Sequence, residues 1–196
     1  AELAVTNSTI TLSSTEGLWA YSSNPSAVNN RFSDNNYAGI QLTYNSFPDN
    51  LGSNTFSGNG GTNGIGVSGT IASGQWKLNN VPYVVNGDVI VDSGYTLNIA
   101  TGVVVKFASA KTLVVKGILN ASGTTENPIV FTSLKDDASG GDTNGDGSAT
   151  TAAKGDWNRI MFLNSAYAST STLSNVIVKY GGANPNSSLY SGMISV

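Results

Sequence analysis

Residues 87–133, GDVIVDSGYTLNIATGVVVKFASAKTLVVKGILNASGTTENPIVFTS, decide the fold. Apolar residues alternate with others in short runs: Val89 and Val91, Leu97 and Ile99, Leu113 and Val115. A two-residue period marks a strand that buries one face. The same positions recur at an offset of sixteen, from Val89 to Val105, Val91 to Phe107, Leu97 to Leu113 and Ile99 to Val115. Leu113 to Ile129 and Val115 to Phe131 continue the series. Gly87, Gly94, Gly102 and Gly117 fall between the runs. Two strands per sixteen residues predict the coils of a parallel β-solenoid, each stacking its apolar residues on those of the next.

Working outward, residues 1–70 carry a second, longer repeat. Ile10, Phe32 and Phe56 lie 22 and 24 residues apart, each preceded by an asparagine (Asn7, Asn30, Asn54). Leu18, Ile40 and Ile65 follow at 22 and 25, directly after Gly17, Gly39 and Gly64. Asparagines aligned from coil to coil can bond as amide ladders do in stacked sheets. Residues 70–84, with Trp76, Pro82 and Tyr83, break the pattern and read as a cover over the first short coil. Residues 133–157 form a polar insertion that a regular coil cannot absorb. Strand character returns at Ile160, Phe162, Leu173, Val176 and Val178. The division is therefore 1–70, the longer coils that end one β-helix unit, and 71–196, the start of the next.

Composition narrows the function. Only 11% of the 196 residues are charged, against roughly 25% in typical soluble domains. The nine basic residues are scattered and the net charge is −3. No basic stripe exists to neutralise phosphates, so nucleic acid is not an expected partner. No apolar run approaches the length of a membrane-spanning helix. Histidine and cysteine are absent, which removes the commonest general base and the disulfide. The twelve carboxylates do not recur at equivalent positions of adjacent coils, so no facing catalytic pair is expected and the chain is read as having no enzyme activity. Trp19, Tyr21, Tyr37 and Tyr44 could line a sugar-stacking face, which keeps glycan binding as the alternative. Asn7, Asn120 and Asn186 each begin an N-glycosylation acceptor tripeptide.

Within the insertion, Asp142-Thr143-Asn144-Gly145-Asp146-Gly147 matches the first half of a calcium loop. Oxygen side chains stand at positions 1, 3 and 5, and glycine at 6 allows the sharp turn. The twelfth position is Ala153 instead of a bidentate glutamate. The expected site is thus structural calcium on Asp142, Asn144 and Asp146, completed from Asp136, Asp137 or Asp156.

The runs GDVIVDSGYTLNIATGVVVKF, NPIVFTS, GGDTNGDGSAT, GDWNRIMF and VKYGG, in that order, resemble secreted right-handed parallel β-helix repeat domains of large bacterial and archaeal surface proteins. These are the pectate-lyase-like and NosD-type repeats. The resemblance covers about residues 76–182, with 1–70 as generic repeats of the same class. It implies a right-handed parallel β-helix, here of roughly nine coils rising about 4.8 Å each, and an extracellular or cell-surface location. In such proteins the longer coils come last, whereas here they come first. Joining the two ends restores the order, with Ile194 and Val196 running on through Ala1 to Leu3 and Val5. The expectation is one period of a tandem array, or a subunit stacking head to tail on copies of itself, in a filament or adhesin stalk.

Overall fold

The computed structural model describes residues 3–48, 50–163, 170–183 and 192–196. Among them every regular element is a strand, and every paired strand is parallel to its neighbour. The first two coils run β1 (Ala4–Thr6), β2 (Thr9–Thr11), β3 (Leu18–Tyr21) and β4 (Ser26–Val28), β5 (Arg31–Ser33), β6 (Ala38–Thr43). A third contributes β7 (Thr55–Ser57) and the long β8 (Thr62–Ile71). Here the expected repeat is the observed register: Ile10 pairs with Phe32 and Phe32 with Phe56, while Leu18, Ile40 and Ile65 share one ladder. The rings of Phe32 and Phe56 stack 5.4 Å apart. Gly39 is required beside them, because a Cβ there would sit 2.6 Å from the Phe56 ring.

The asparagine ladder forms one residue out of the expected register. Asn30 and Asn54 bond side chain to side chain, but the first coil presents Ser8 to Asn30, and Asn7 stands in a left-handed turn. A second column, Ser13, Asn35 and Asn59, bonds in the same way. Each amide satisfies backbone groups that the tight corner would otherwise leave buried and unpaired.

The chain continues through β9 (Gly74–Trp76), β10 (Tyr83–Val91), β11 (Thr96–Ile99), β12 (Val104–Phe107), β13 (Thr112–Val115), β14 (Ile118–Ser122) and β15 (Ile129–Ser133). After the insertion come β16 (Arg159–Phe162), β17 (Thr172–Ser174), β18 (Val176–Val178) and β19 (Ile194–Ser195). The sixteen-residue register is not observed. Val89 stacks on Leu113, Leu97 on Leu119, and Val105 between Tyr83 and Phe131, at intervals of 22 to 26 residues. Each coil has three sides, and all three send Val, Ile, Leu or Phe into one shared core. An offset of sixteen carries a strand onto a different side of the next coil, where the apolar alternation looks the same. Longer coils also mean fewer of them than nine, the deepest path being β3–β6–β8–β10–β12–β15–β18.

The expected change of unit at residue 70 is no break in the solenoid. β8 runs through it and pairs with β10 on both sides of a bulge. Trp76 is not a cover either. It lies inside the core, stacked 5.3 Å from the Tyr83 ring. The Tyr83 hydroxyl donates to the Lys77 carbonyl and accepts from Asn79, and burial pushes its phenol well above the ordinary range.

One corner of the coil grows along the solenoid. Between the two legs of the ten-stranded sheet, β8 spends one residue (Ser68) where β10 spends three (86–88). The next coil spends four (108–111), and the coil after it spends the whole stretch 134–158. The insertion therefore leaves the solenoid at a corner already loosened, without disturbing the ladders on either side.

Candidate functional site

In a strand that buries Val105 and Phe107, Lys106 must point outward. It is nevertheless completely buried. It belongs to an outward column, Trp19, Gln41, Gly66, Val84, Lys106 and Thr132, one residue per rung. The insertion folds back along this column and covers its later members. Lys106 Nζ donates to the Gly141 carbonyl at 2.5 Å, and the Asn63 N–H donates to the Thr143 carbonyl at 2.7 Å. Asp136 accepts from Thr132 at 2.6 Å and pairs with Lys179 at 2.7 Å. At the far end Trp157 is fully buried, stacks 4.0 Å from Phe107 and donates Nε1–H to the Lys179 carbonyl.

Two acids of this covered layer are paired with lysines, Asp136 with Lys179 and Asp156 with Lys135. Burial lowers the Lys106 pKa, and the carboxylates of Asp137, Asp136 and Asp142 oppose that shift. Burial alone would raise Asp136, but hydrogen bonds from Lys179, Thr132 and Ser139 outweigh it and hold the carboxyl below its usual range. Asp156 behaves alike: desolvation is overcome by bonds from the Ala153 N–H, Ser133 and Lys135.

The structure brings Asp142, Asn144 and Asp146 together. Both Asp142 oxygens accept backbone N–H groups, Oδ1 from Gly145 and Asp146 and Oδ2 from Gly147, which closes the loop around it. Asn144 Nδ2 donates to Asp146 Oδ2 at 2.7 Å. Of the three acids offered as completing groups, Asp137 is the one that joins: its carboxylate oxygen lies within 4.8 Å of those of Asp142 and Asp146. Asp136 and Asp156 are engaged with Lys179 and Lys135. Asp137 Oδ1, Asn144 Oδ1 and Asp146 Oδ1 are shut off from solvent and accept no hydrogen bond. Lys106 and Thr143 escaped the sequence reading, because an outward strand residue and a loop threonine look solvent-exposed until the insertion is folded back.

Upstream, the same outward column opens at Trp19, while Gln41 and Gly66 are buried. Trp19 is 63% exposed, with Tyr21 edge-on at 6.2 Å and Tyr44 at 4.7 Å from Tyr21. Glu16, Trp19, Gln41, Thr43, Ser68 and Asn86 line a shallow groove there. Gln41 and Asn86 exchange two side-chain hydrogen bonds across its floor, and Trp19 Nε1 donates to Thr43. Tyr37 is exposed but is not among the groove residues.

At the two ends, Leu3, Ile194 and Val196 are exposed and Val5 is half-buried. Ala1 lies outside the described residues, as does Asn186. Asn7 is exposed, and Asn120 bonds Asn98 on the outer face of β14. Among the described residues, no helix is long and apolar enough to cross a membrane.

The family model described as a pectate-lyase-like β-helix domain matches residues 69–196, and one described as a right-handed β-helix region matches residues 1–81. No curated protein and no solved structure matches the chain.

Proposed function

We propose that this chain, which belongs to the pectate-lyase-like β-helix domain family, is a structural module of an extracellular filament or adhesin stalk that continues its solenoid onto the next copy or repeat. The observation that carries this reading is the state of the end rungs. Among the described residues, β1, β2 and β3 at one end and β17, β18 and β19 at the other each have one paired edge and one free. A free parallel edge is a template for another strand. Leu3, Val5, Ile194 and Val196 stand beside these edges as the apolar contacts of the joint. Such an interface is heterologous and does not close, so it propagates. The fold family includes enzymes, but this reading gives the chain no catalysis. Among the described residues, the acids gathered in space are Asp137, Asp142 and Asp146 of the insertion loop, and none of the three lines the open groove.

Negative-stain electron microscopy across a concentration series tests the reading. Rods that lengthen with concentration, and shorten in Val5→Asp, are expected. A parent protein that stays a monodisperse single unit at every concentration removes it.

A second reading has its own support. The groove at Trp19 combines an exposed aromatic face with a carboxylate, two amides and two hydroxyls drawn from successive rungs. Aromatic faces stack on sugar C–H faces while such polar groups bind hydroxyls. Glycan binding here would be a partner function on the flank of the stalk. Titration with soluble oligosaccharides, followed by tryptophan fluorescence, tests it. A Trp19→Ala protein that responds as the parent does would sink it.

A further inference from the structure

We infer that the loop of the insertion binds one calcium ion through side-chain oxygens of Asp137, Asp142, Asn144 and Asp146, and that the ion locks the insertion against the outside of the solenoid. This stands apart from end-to-end assembly and from the glycan groove, and neither is needed for it.

Two independent observations carry it. The first is the gathering of three carboxylates within 4.8 Å. Like charges this close repel unless a cation lies among them. The second is the set of oxygens left without partners. Asp137 Oδ1, Asn144 Oδ1 and Asp146 Oδ1 come from three residues, are closed to solvent and accept no hydrogen bond. A desolvated oxygen without a donor is costly, and three in one loop call for a ligand that accepts lone pairs. The donors around them are already committed. The N–H groups of Gly145, Asp146 and Gly147 go to Asp142, while the Asn144 amide goes to Asp146 Oδ2 and to Thr150. This arrangement leaves the Asn144 carbonyl oxygen free to coordinate.

Charge and ligand type select the ion. Asp136 is neutralised by Lys179, so of the three grouped acids Asp137 and Asp142 act on the ammonium of Lys106, with Asp146 beside them. Three carboxylates and one ammonium leave two negative charges, which suits a divalent cation. The donors are all oxygen, in a chain without histidine or cysteine, which excludes a soft-metal site. Calcium takes six to eight oxygens in a flexible shell, and backbone carbonyls and water complete what four side chains begin. Magnesium demands a small octahedron and parts reluctantly with its water.

The test is calorimetric titration of chelator-treated protein with calcium chloride, with thermal melts in calcium and in EDTA. One ion per chain, a Kd at or below about 1 mM as in extracellular calcium modules, and a higher Tm in calcium are expected. Asp137→Asn, at a position outside the sequence motif, should bind at least about tenfold more weakly and gain less in Tm than the parent when calcium replaces EDTA. Absence of binding heat together with superimposable parent melts overturns the inference. So does an equal Tm rise with magnesium at the same concentration, or an Asp137→Asn protein that binds as tightly as the parent.

Discussion

The N-terminal coils, through β8, and the later coils, from β10 onward, are built on the same parallel ladders but hold their corners differently. Upstream, coil length is nearly constant, and buried asparagines at two corners bond each rung to the next. Downstream, one corner lengthens from rung to rung, and the chain compensates from outside by laying the insertion back across the sheet. A corner can thus be fixed by internal amides or by an external strap. The first requires a constant coil length, whereas the second tolerates variation. The outer face differs as well: Trp19, first in the column, is exposed, while Val84, Lys106 and Thr132 further along it are buried.

Substitutions can break this contrast. The largest effect is expected from Val115→Asp, which places a charge between Val91 and Phe162 inside the shared core. A buried unpaired carboxylate costs more than a module's whole stability margin. Circular dichroism should show an unfolded protein, and a folded soluble variant would refute the observed register. Next is Asn54→Leu. It strips the Ala27 and Leu51 carbonyls of their donor and Asn30 of its acceptor. At about 1–3 kcal/mol per buried group left unpaired, a loss of about 3 kcal/mol or more is expected in denaturant unfolding.

Asp156→Asn probes the strap and should cost less, about 1 kcal/mol at neutral pH, because its Lys135 partner is partly exposed. The Asp156 carboxyl titrates lower in the folded chain than in the unfolded one. Its contribution is therefore present in full above the unfolded pKa of about 3.9 and is lost as pH falls through the folded value. Parent and variant stabilities should converge below about pH 4. A gap that persists unchanged to pH 2 would assign the effect to packing instead. Trp19→Ala should have the smallest effect on stability, within about 0.5 kcal/mol, since the ring is largely exposed. A larger loss in thermal melts would make the aromatic cluster part of the scaffold.

The same contrast explains what could be read from the sequence. Upstream register was legible because each coil has one Phe or Ile after an asparagine and one Leu or Ile after a glycine, so only one alignment fits. Even there, Ser8 takes the place that Asn7 was expected to hold, because the ladder ends on a backbone N–H, that of Ser8 donating to Asn30 Oδ1, and so needs no amide side chain in the first coil. Downstream, three sides with interchangeable Val, Ile and Leu make several offsets look alike, and the sixteen-residue one is a match between sides. Of the loop, Asp142, Asn144 and Asp146 were legible because they are local. Lys106 was not, since only the folded insertion brings a residue 35 positions distant onto its amine.

The backward course of the insertion also bears on how such a rod carries load. A solenoid held by contacts between adjacent rungs peels from its ends one rung at a time when pulled. Here residues 134–158 touch Thr62 and Asn63 at the start of β8, Lys106 on a later rung and Lys179 on a later one still. Tension that reaches this block meets rungs bound as one body. The coils before β8 peel rung by rung, and the rungs from β8 to β18 then yield together in a single step.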